Sequence, residues 1–298
     1  MRVTSNSEYQ NTLANLERAA SDLARWQAQV SSARRLEVPS DDPAAAARSI
    51  AERAEIGTID QYSRSGDTAE ARLRAVDSVL SDVVSRLTAA QAEAGAALGT
   101  VATDVQREAH AGALEAIADA LFSDLNTSLR GTFLFAGSAT LTAPYSMGSD
   151  GTVSAYQGDG NAVAIDIDRA RSVQVAFDGR AITQGEDAQD VFTCLSALVA
   201  AIRANDQPAI ASGVEGLRRA FDRAVAFQAA VGTDLATLAD EGPRLTSLRQ
   251  AAAARVSRDE DANLAEALSQ MSRADAAYQS ALAAIGNRSR LTLLDYLR

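Results

Sequence analysis

There is no lysine anywhere in this sequence: all 28 basic residues are arginine, set against 39 acidic ones for a net charge of -11. Such an acidic chain repels phosphate backbones, which argues against nucleic acid as a partner. Histidine is nearly absent too. The single His110 cannot supply a Glu-x-x-His pair from each of two helices, so a di-iron bundle site fails on ligand count, and a catalytic histidine would have no second one to work with. Cys194 is the one cysteine, which excludes an internal disulfide. It reads as a small buried residue within a helix expected over Val191 to Ile202. Aromatic residues make up only 5% of the chain, and the 47% hydrophobic content is inflated by alanine, so a wide aromatic-packed core is excluded and thin helical bundles fit better. No stretch approaches the roughly 18 apolar residues of a membrane span, so no membrane insertion is expected. The start, Met1 to Glu8, is polar and has no signal-peptide apolar region; if the protein leaves the cytoplasm, it is expected to use a route that needs no cleaved signal.

What the chain has is two amphipathic ends. Leu264, Leu268, Met271, Asp275, Tyr278, Leu282 and Ile285 fall on a strict 4-3 alternation that only Asp275 breaks. Near the start, Leu13, Leu16, Ala20, Leu23, Gln27 and Val30 keep the same alternation, with Trp26 beside Gln27. The two ends are expected to lie against each other and still leave apolar surface for neighbours. Longer runs lie inside them. Leu73, Val76, Leu80, Val83, Leu87, Ala90, Ala94, Ala97 and Val101 continue the pattern, and Leu114, Ile117 and Leu121 extend it past His110. On the return side Ile210, Val214, Leu217, Phe221, Ala224, Gln228, Val231, Leu235 and Leu238 do the same, and the two runs are expected to lie antiparallel with alanines allowing close approach.

Punctuation divides these runs. Val38-Pro39-Ser40-Asp41-Asp42-Pro43 should end the first helix near Arg35 and start a second, with Asp42 as cap and Pro43 at the first helical position. Gly242-Pro243 should interrupt the return helix. Between Arg130 and Gln189 glycines separate short alternating runs, Thr152 to Gln157, Ala162 to Ile167 and Ser172 to Phe177, which read as strands. Gly158-Asp159-Gly160-Asn161 reads as a hairpin loop between the first two, and Asp178-Gly179 as a further turn. The expected fold is mainly α: an elongated antiparallel helical bundle or coiled coil formed by the N- and C-terminal halves, with a small inserted β domain that the helices do not need in order to fold. The divisions are residues 1–43, an assembly helix and linker; 44–130 and 190–257, the two halves of the helical rod; 131–189, the β insert; and 258–298, a C-terminal assembly helix.

No constellation of residues in the chain calls for a metal or cofactor. Gly158-Asp159-Gly160 resembles half of a phosphate-binding loop, but it lies between strands and not before a helix, so a turn explains it. Asp41 and Asp42 are explained by capping without a cation. The remaining acids are spread along helix faces.

Two terminal stretches carry a family resemblance. Gln27 to Arg35 leading into Pro39-Ser40-Asp41-Asp42-Pro43, together with Asn263 to Met271 and Leu291-Thr292-Leu293-Leu294-Asp295-Tyr296-Leu297, resemble the two ends of the bacterial flagellin superfamily. Gly131-Thr132-Phe133-Leu134-Phe135-Ala136-Gly137 and Thr142-Ala143-Pro144-Tyr145 are similar to its hook-filament junction members. The resemblance implies a non-enzymatic structural subunit, exported unfolded through the flagellar type III apparatus with a cytoplasmic chaperone. Its implied partners are itself, a hook-side junction protein and flagellin; a filament subunit is the alternative, and a helical enzyme or ligand-binding bundle a distant third. It also implies that the apolar residues of the two ends, Leu13, Leu16, Leu23, Trp26, Val30, Leu264, Leu268, Met271, Tyr278, Leu282, Ile285, Leu291 and Leu294, form the assembly interface, with Pro39 to Pro43 as linker and cap.

Overall fold

A computed structural model describes residues 2–98, 103–149 and 151–296, with side chains described over 10–98, 103–149 and 151–286. Val101, Leu291 and Leu294, named above, therefore lie outside the described side chains. Helix α1 (Arg2–Ser32) stops where Ala33 adopts a left-handed φ of 56°. The Asp42 carboxylate then accepts from the Ala45 N–H at 3.0 Å, and Pro43 opens α2 (Pro43–Ala97), as its fixed φ and missing donor favour.

The apolar seam does not run on from α2 into Leu114. Helix α2 ends at Ala97 and α3 (Asp104–Leu125) starts afresh at Thr103, where a reciprocal capping box joins the Thr103 hydroxyl and the Gln106 side chain to each other's backbone N–H. Helix α3 folds back beside α2, because His110 Nδ1 lies 2.7 Å from Glu93 Oε2.

The insert also departs from the sequence reading. A hairpin not foreseen there, β1 (Ser128–Leu129) and β2 (Thr132–Phe133), turns through Arg130 and Gly131 at φ 52° and 81°, the positive pair that a two-residue hairpin turn requires. Strands β3 (Val163–Asp168) and β4 (Arg171–Ala176) pair antiparallel close to where two runs were expected. Thr152 to Gln157 is not a strand. Its backbone meets 144–148 only through one isolated antiparallel bridge, Met147 with Val153, and a bond from Gln157 N–H to Pro144 O, and Pro144 has no N–H to return. Gly158 to Asn161 accordingly closes no hairpin. Asp178-Gly179 is a helix start: Asp178 caps α4 (Gly179–Thr183) through the Arg180 N–H.

Helix α5 (Val191–Ala204) is capped by Asp190. Helix α6 (Gln207–Glu260) runs straight through Pro243, against the expected interruption. Pro243 and Ala239, the residue whose carbonyl loses its donor, are both exposed, so the lost bond falls on the solvent side of the helix and not in its core. Helix α7 (Leu264–Tyr296) follows.

The chain forms two compact units, 59–247 and the combination of 1–58 with 248–298. In the first, Gln91 Nε2 reaches Leu217 O, Gln228 Nε2 reaches Asp77 Oδ1, and a Cβ on Gly66 would touch Leu238, so α2 and α6 run antiparallel. The seam residues Leu73, Val76, Leu80, Val83, Leu87, Ala90, Ala94 and Ala97 are all buried, as are Ile210, Leu217, Ala224, Val231 and Leu238 opposite. Ile167, Val173, Val175, Phe177, Ile182 and Tyr145 belong to the same apolar cluster. The β segment thus shares the core of the helices, which weighs against the expectation that they fold without it. Arg72 fastens it: from α2 its guanidinium donates to Val175 O, to Phe133 O at 2.8 Å and to Thr132 Oγ1 at 2.9 Å, bridging both hairpins.

Candidate functional site

The second unit brings the two ends of the chain together. Helices α1 and α7 pack along each other, and the Ala262 N–H donates to Ala33 O at 2.9 Å, so the end of α1 meets the start of α7 and the pair is antiparallel. On α1, Leu13, Leu16, Ala20, Leu23, Trp26 and Val30 are half-buried and Gln27 is exposed. The Arg25 guanidinium stands 5.1 Å from the Trp26 ring centroid.

On α7 the stripe facing inward is Ala267, Met271, Ala274, Tyr278, Ala281 and Ile285, itself a 4-3 repeat, in which Ala267 and Ala274 are buried. It shares Met271, Tyr278 and Ile285 with the leucine-bearing repeat seen in the sequence. Leu264, Leu268 and Leu282 are left 45%, 47% and 44% exposed. Asp275 gives the reason: rotating α7 to bury the leucines would bury this carboxylate as well, and an unpaired buried charge is costly. The alanine side carries no such charge and lets the helices come close. The pair therefore presents an apolar strip that its own chain does not cover.

Between α1 and α2 the linker residues Pro39, Ser40 and Asp41 are exposed, and Asp42 half-buried. Asp41 Oδ2 accepts from the Glu37 and Val38 N–H groups at 3.1 and 3.0 Å, with the Val38 bond foremost in lowering its pKa. Asp42 is lowered first by the Ala45 N–H and then by Arg35. Both carboxylates are occupied in shaping the turn. Among the described residues no group of three or more His, Cys, Asp or Glu side chains is arranged to hold a metal ion.

The other residues weighed for chemistry are held by structural contacts. Asp159 of the glycine-rich loop takes the Ser138 N–H and hydroxyl and the Asn161 side-chain amide, and these bonds, the Ser138 hydroxyl foremost, hold its carboxyl down to about 2. A Cβ on Gly137, at φ 64°, would stand 2.0 Å from Asp159 O, so glycine is what lets the loop close over 136–138. Cys194 donates toward Gly213 O at 3.6 Å, and burial raises its pKa, which disfavours the reactive thiolate. In the motif Thr142 to Tyr145, Tyr145 is buried, its hydroxyl 2.8 Å from Thr183 Oγ1 and its ring edge-on to Phe192.

One cluster was not read from the sequence. At the end of α6, Asp259 pairs with Arg48 through two bonds of 3.1 and 2.8 Å, and Glu260 with Arg53 and the Ser49 hydroxyl. Paired charges at two chain breaks, Arg34-Arg35 and Asp259-Glu260, were its only trace.

Comparison with known proteins agrees with this architecture. Residues 3–140 match the bacterial flagellin N-terminal helical region. Over 261 residues, 80% of this chain and 81% of the relative, the sequence is 24% identical to flagellar hook-associated protein 3 of Salmonella typhimurium. In fold it is similar to the flagellar junction protein FlgL from Legionella pneumophila, at TM-score 0.61 and 14% identity over 72% of this chain and 100% of that one. Xanthomonas campestris FlgL is similar at TM-score 0.62 and 15% identity, over 69% of this chain and 99% of that one. The chain is thus similar over residues 3–140 to the bacterial flagellin N-terminal helical region, and over about four fifths of its length to hook-associated protein 3.

Proposed function

We propose that this chain is a structural subunit of the bacterial flagellum that joins hook to filament, assembling helically with itself and contacting a hook-side junction protein on one side and flagellin on the other. The observation that carries the reading is the likeness to hook-associated protein 3, which extends over about four fifths of both chains. The exposed leucines supply a physical means. Leu264, Leu268 and Leu282 each leave roughly half their surface outside, so covering them on association is worth about 1 kcal/mol apiece. Identical subunits repeat that gain at every contact. Passage through the type III export apparatus with a chaperone, and release without a cleaved signal, are part of the same proposal.

The match of residues 3–140 to the flagellin region itself favours a second reading, a filament subunit. Electron microscopy of labelled protein on isolated flagella separates the two. Label confined to the hook-filament boundary supports the first, label along the filament the second, and label on neither overturns both. A deletion strain that makes hooks without filaments while flagellin collects in the medium would support the junction role independently.

A further inference from the structure

The two connections that lead into the terminal helices lie side by side. Residues 33–36 and 260–262 are joined by backbone bonds, Arg35 N–H to Glu260 O at 2.7 Å and Ala262 N–H to Ala33 O at 2.9 Å, with Arg34 and Asp261 paired as a short antiparallel bridge. No residue of 33–41 or 261–263 is buried, so no apolar core fixes this crossing. Segments of this kind open at low cost. Ala33, a non-glycine residue at φ 56°, adds local backbone strain.

What holds the crossing is charge. Asp259 and Glu260 occupy the last turn of α6, where the helix dipole disfavours carboxylates. Arginines offset this from the other strand: Arg48 on Asp259, Arg53 on Glu260, and Arg35, whose guanidinium donates to the Asp259 carbonyl at 2.7 Å. The Glu260 side chain is only 12% exposed, and Ser49, which donates to it, is buried. One turn earlier Arg255 reaches Glu52 at 2.8 Å and Glu55 at 3.5 Å, continuing the same contact between α6 and α2.

We propose that these paired connections form a latched hinge, on which α1 and α7 move as one body and which the carboxylates of Asp259 and Glu260 hold shut. Because α1 packs along α7 and the two connections are stitched together, neither helix swings alone. Because the latch is ionic and the crossing buries no apolar residue, added salt weakens it while leaving the apolar core of residues 59–247 intact. The proposal concerns one chain and stands or falls apart from the assembly reading.

Trypsin provides the test, since in a lysine-free chain it cuts only after arginine, and Arg34, Arg35 and Arg258 lie at the hinge. Cleavage rates at these bonds would be followed by mass spectrometry on the full chain at about 0.02 M and about 1 M NaCl, with cleavage after the exposed Arg130 of the β1–β2 turn, in the other unit, as internal reference. Glu260→Gln, and separately Asp259→Asn, should raise hinge cleavage about tenfold at low salt, the change in open population expected on losing one charge-assisted pair. The unaltered chain should approach that rate at high salt, whereas the variants should show little further change. The reference cut should stay constant in all of them. Equal hinge cleavage in variant and unaltered chain, or a parallel rise at the reference bond, would overturn the proposal.

Discussion

Replacing Arg72 by methionine keeps an unbranched aliphatic stem and removes the three donors that tie both hairpins to the helix. Hydrogen bonds to charged groups contribute roughly 1.5–3 kcal/mol each, and a buried carbonyl left without a donor costs about 1–3 kcal/mol. Val175 and Thr132 are buried or half-buried, and burial already lowers the Arg72 pKa, so the guanidinium itself pays a desolvation penalty that its removal relieves. Taken together, we expect a net loss of about 3 kcal/mol. With a urea m-value of about 2 kcal/mol/M, that moves the unfolding midpoint by about 1.5 M, read by circular dichroism. Arg72→Lys keeps the charge but cannot span three acceptors set in a fork, and should recover no more than about half of the loss. A midpoint for Arg72→Met within about 0.3 M of the unaltered protein would refute the reasoning, because the β segment would then be an appendage after all.

Leu268→Asp with Leu282→Asp, both exposed in the single chain, should leave the melting temperature within a few degrees while abolishing filament attachment in motile cells; normal motility would remove α7 as the assembly surface. Gly137→Ala should cost about 1–3 kcal/mol in thermal denaturation, because the new methyl meets the Asp159 carbonyl and the backbone sits at φ 64°, whereas Gly131→Ala has open space and should cost only its backbone strain. Glu260 is held to about 2 from an ordinary 4.5, first by the Arg53 bond and then by Ser49. Since that pKa is lowered on folding, its contribution is complete above about 4.5 and lost as pH falls toward 2. Acid titration followed by Trp26 fluorescence should show a transition in that window that Glu260→Gln removes.

The long helices were legible because their signal repeats: every seam residue from Leu73 to Ala97 is buried. The Asp42-Pro43 cap was legible because both residues act on their immediate neighbours. The α2–α3 break was missed although Thr103-x-x-Gln106 spells a capping box, since the 3-4 pattern of apolar residues happens to resume after it. On α7 the sequence offered two overlapping repeats, and hydrophobicity favoured the leucines. What decided between them was the cost of burying Asp275, a term that apolar counting leaves out. Pro243 was read as a break because the rule takes no account of which side of the helix loses the bond. Arg72 and the Asp259-Glu260 cluster were beyond reading, for their partners lie some 60 to more than 200 residues away in the chain.

The pairing of α1 with α7 also imposes an order on folding. Ser32 and Leu264 are separated by roughly 230 residues, and closing so long a loop of unfolded chain costs about 5 kcal/mol, a large cost for a pair whose apolar residues are mostly only half-buried. Once residues 59–247 have folded, most of that entropy is already spent, and the ends meet cheaply. The terminal pair is therefore the last element to form, and until it does each α1 is an amphipathic helix without a partner. In a crowded setting of identical chains, a neighbour's α7 is as good a partner as its own. Exchange of ends between copies becomes a matter of local concentration, so dilution during refolding should favour closed monomers and crowding should favour linked ones.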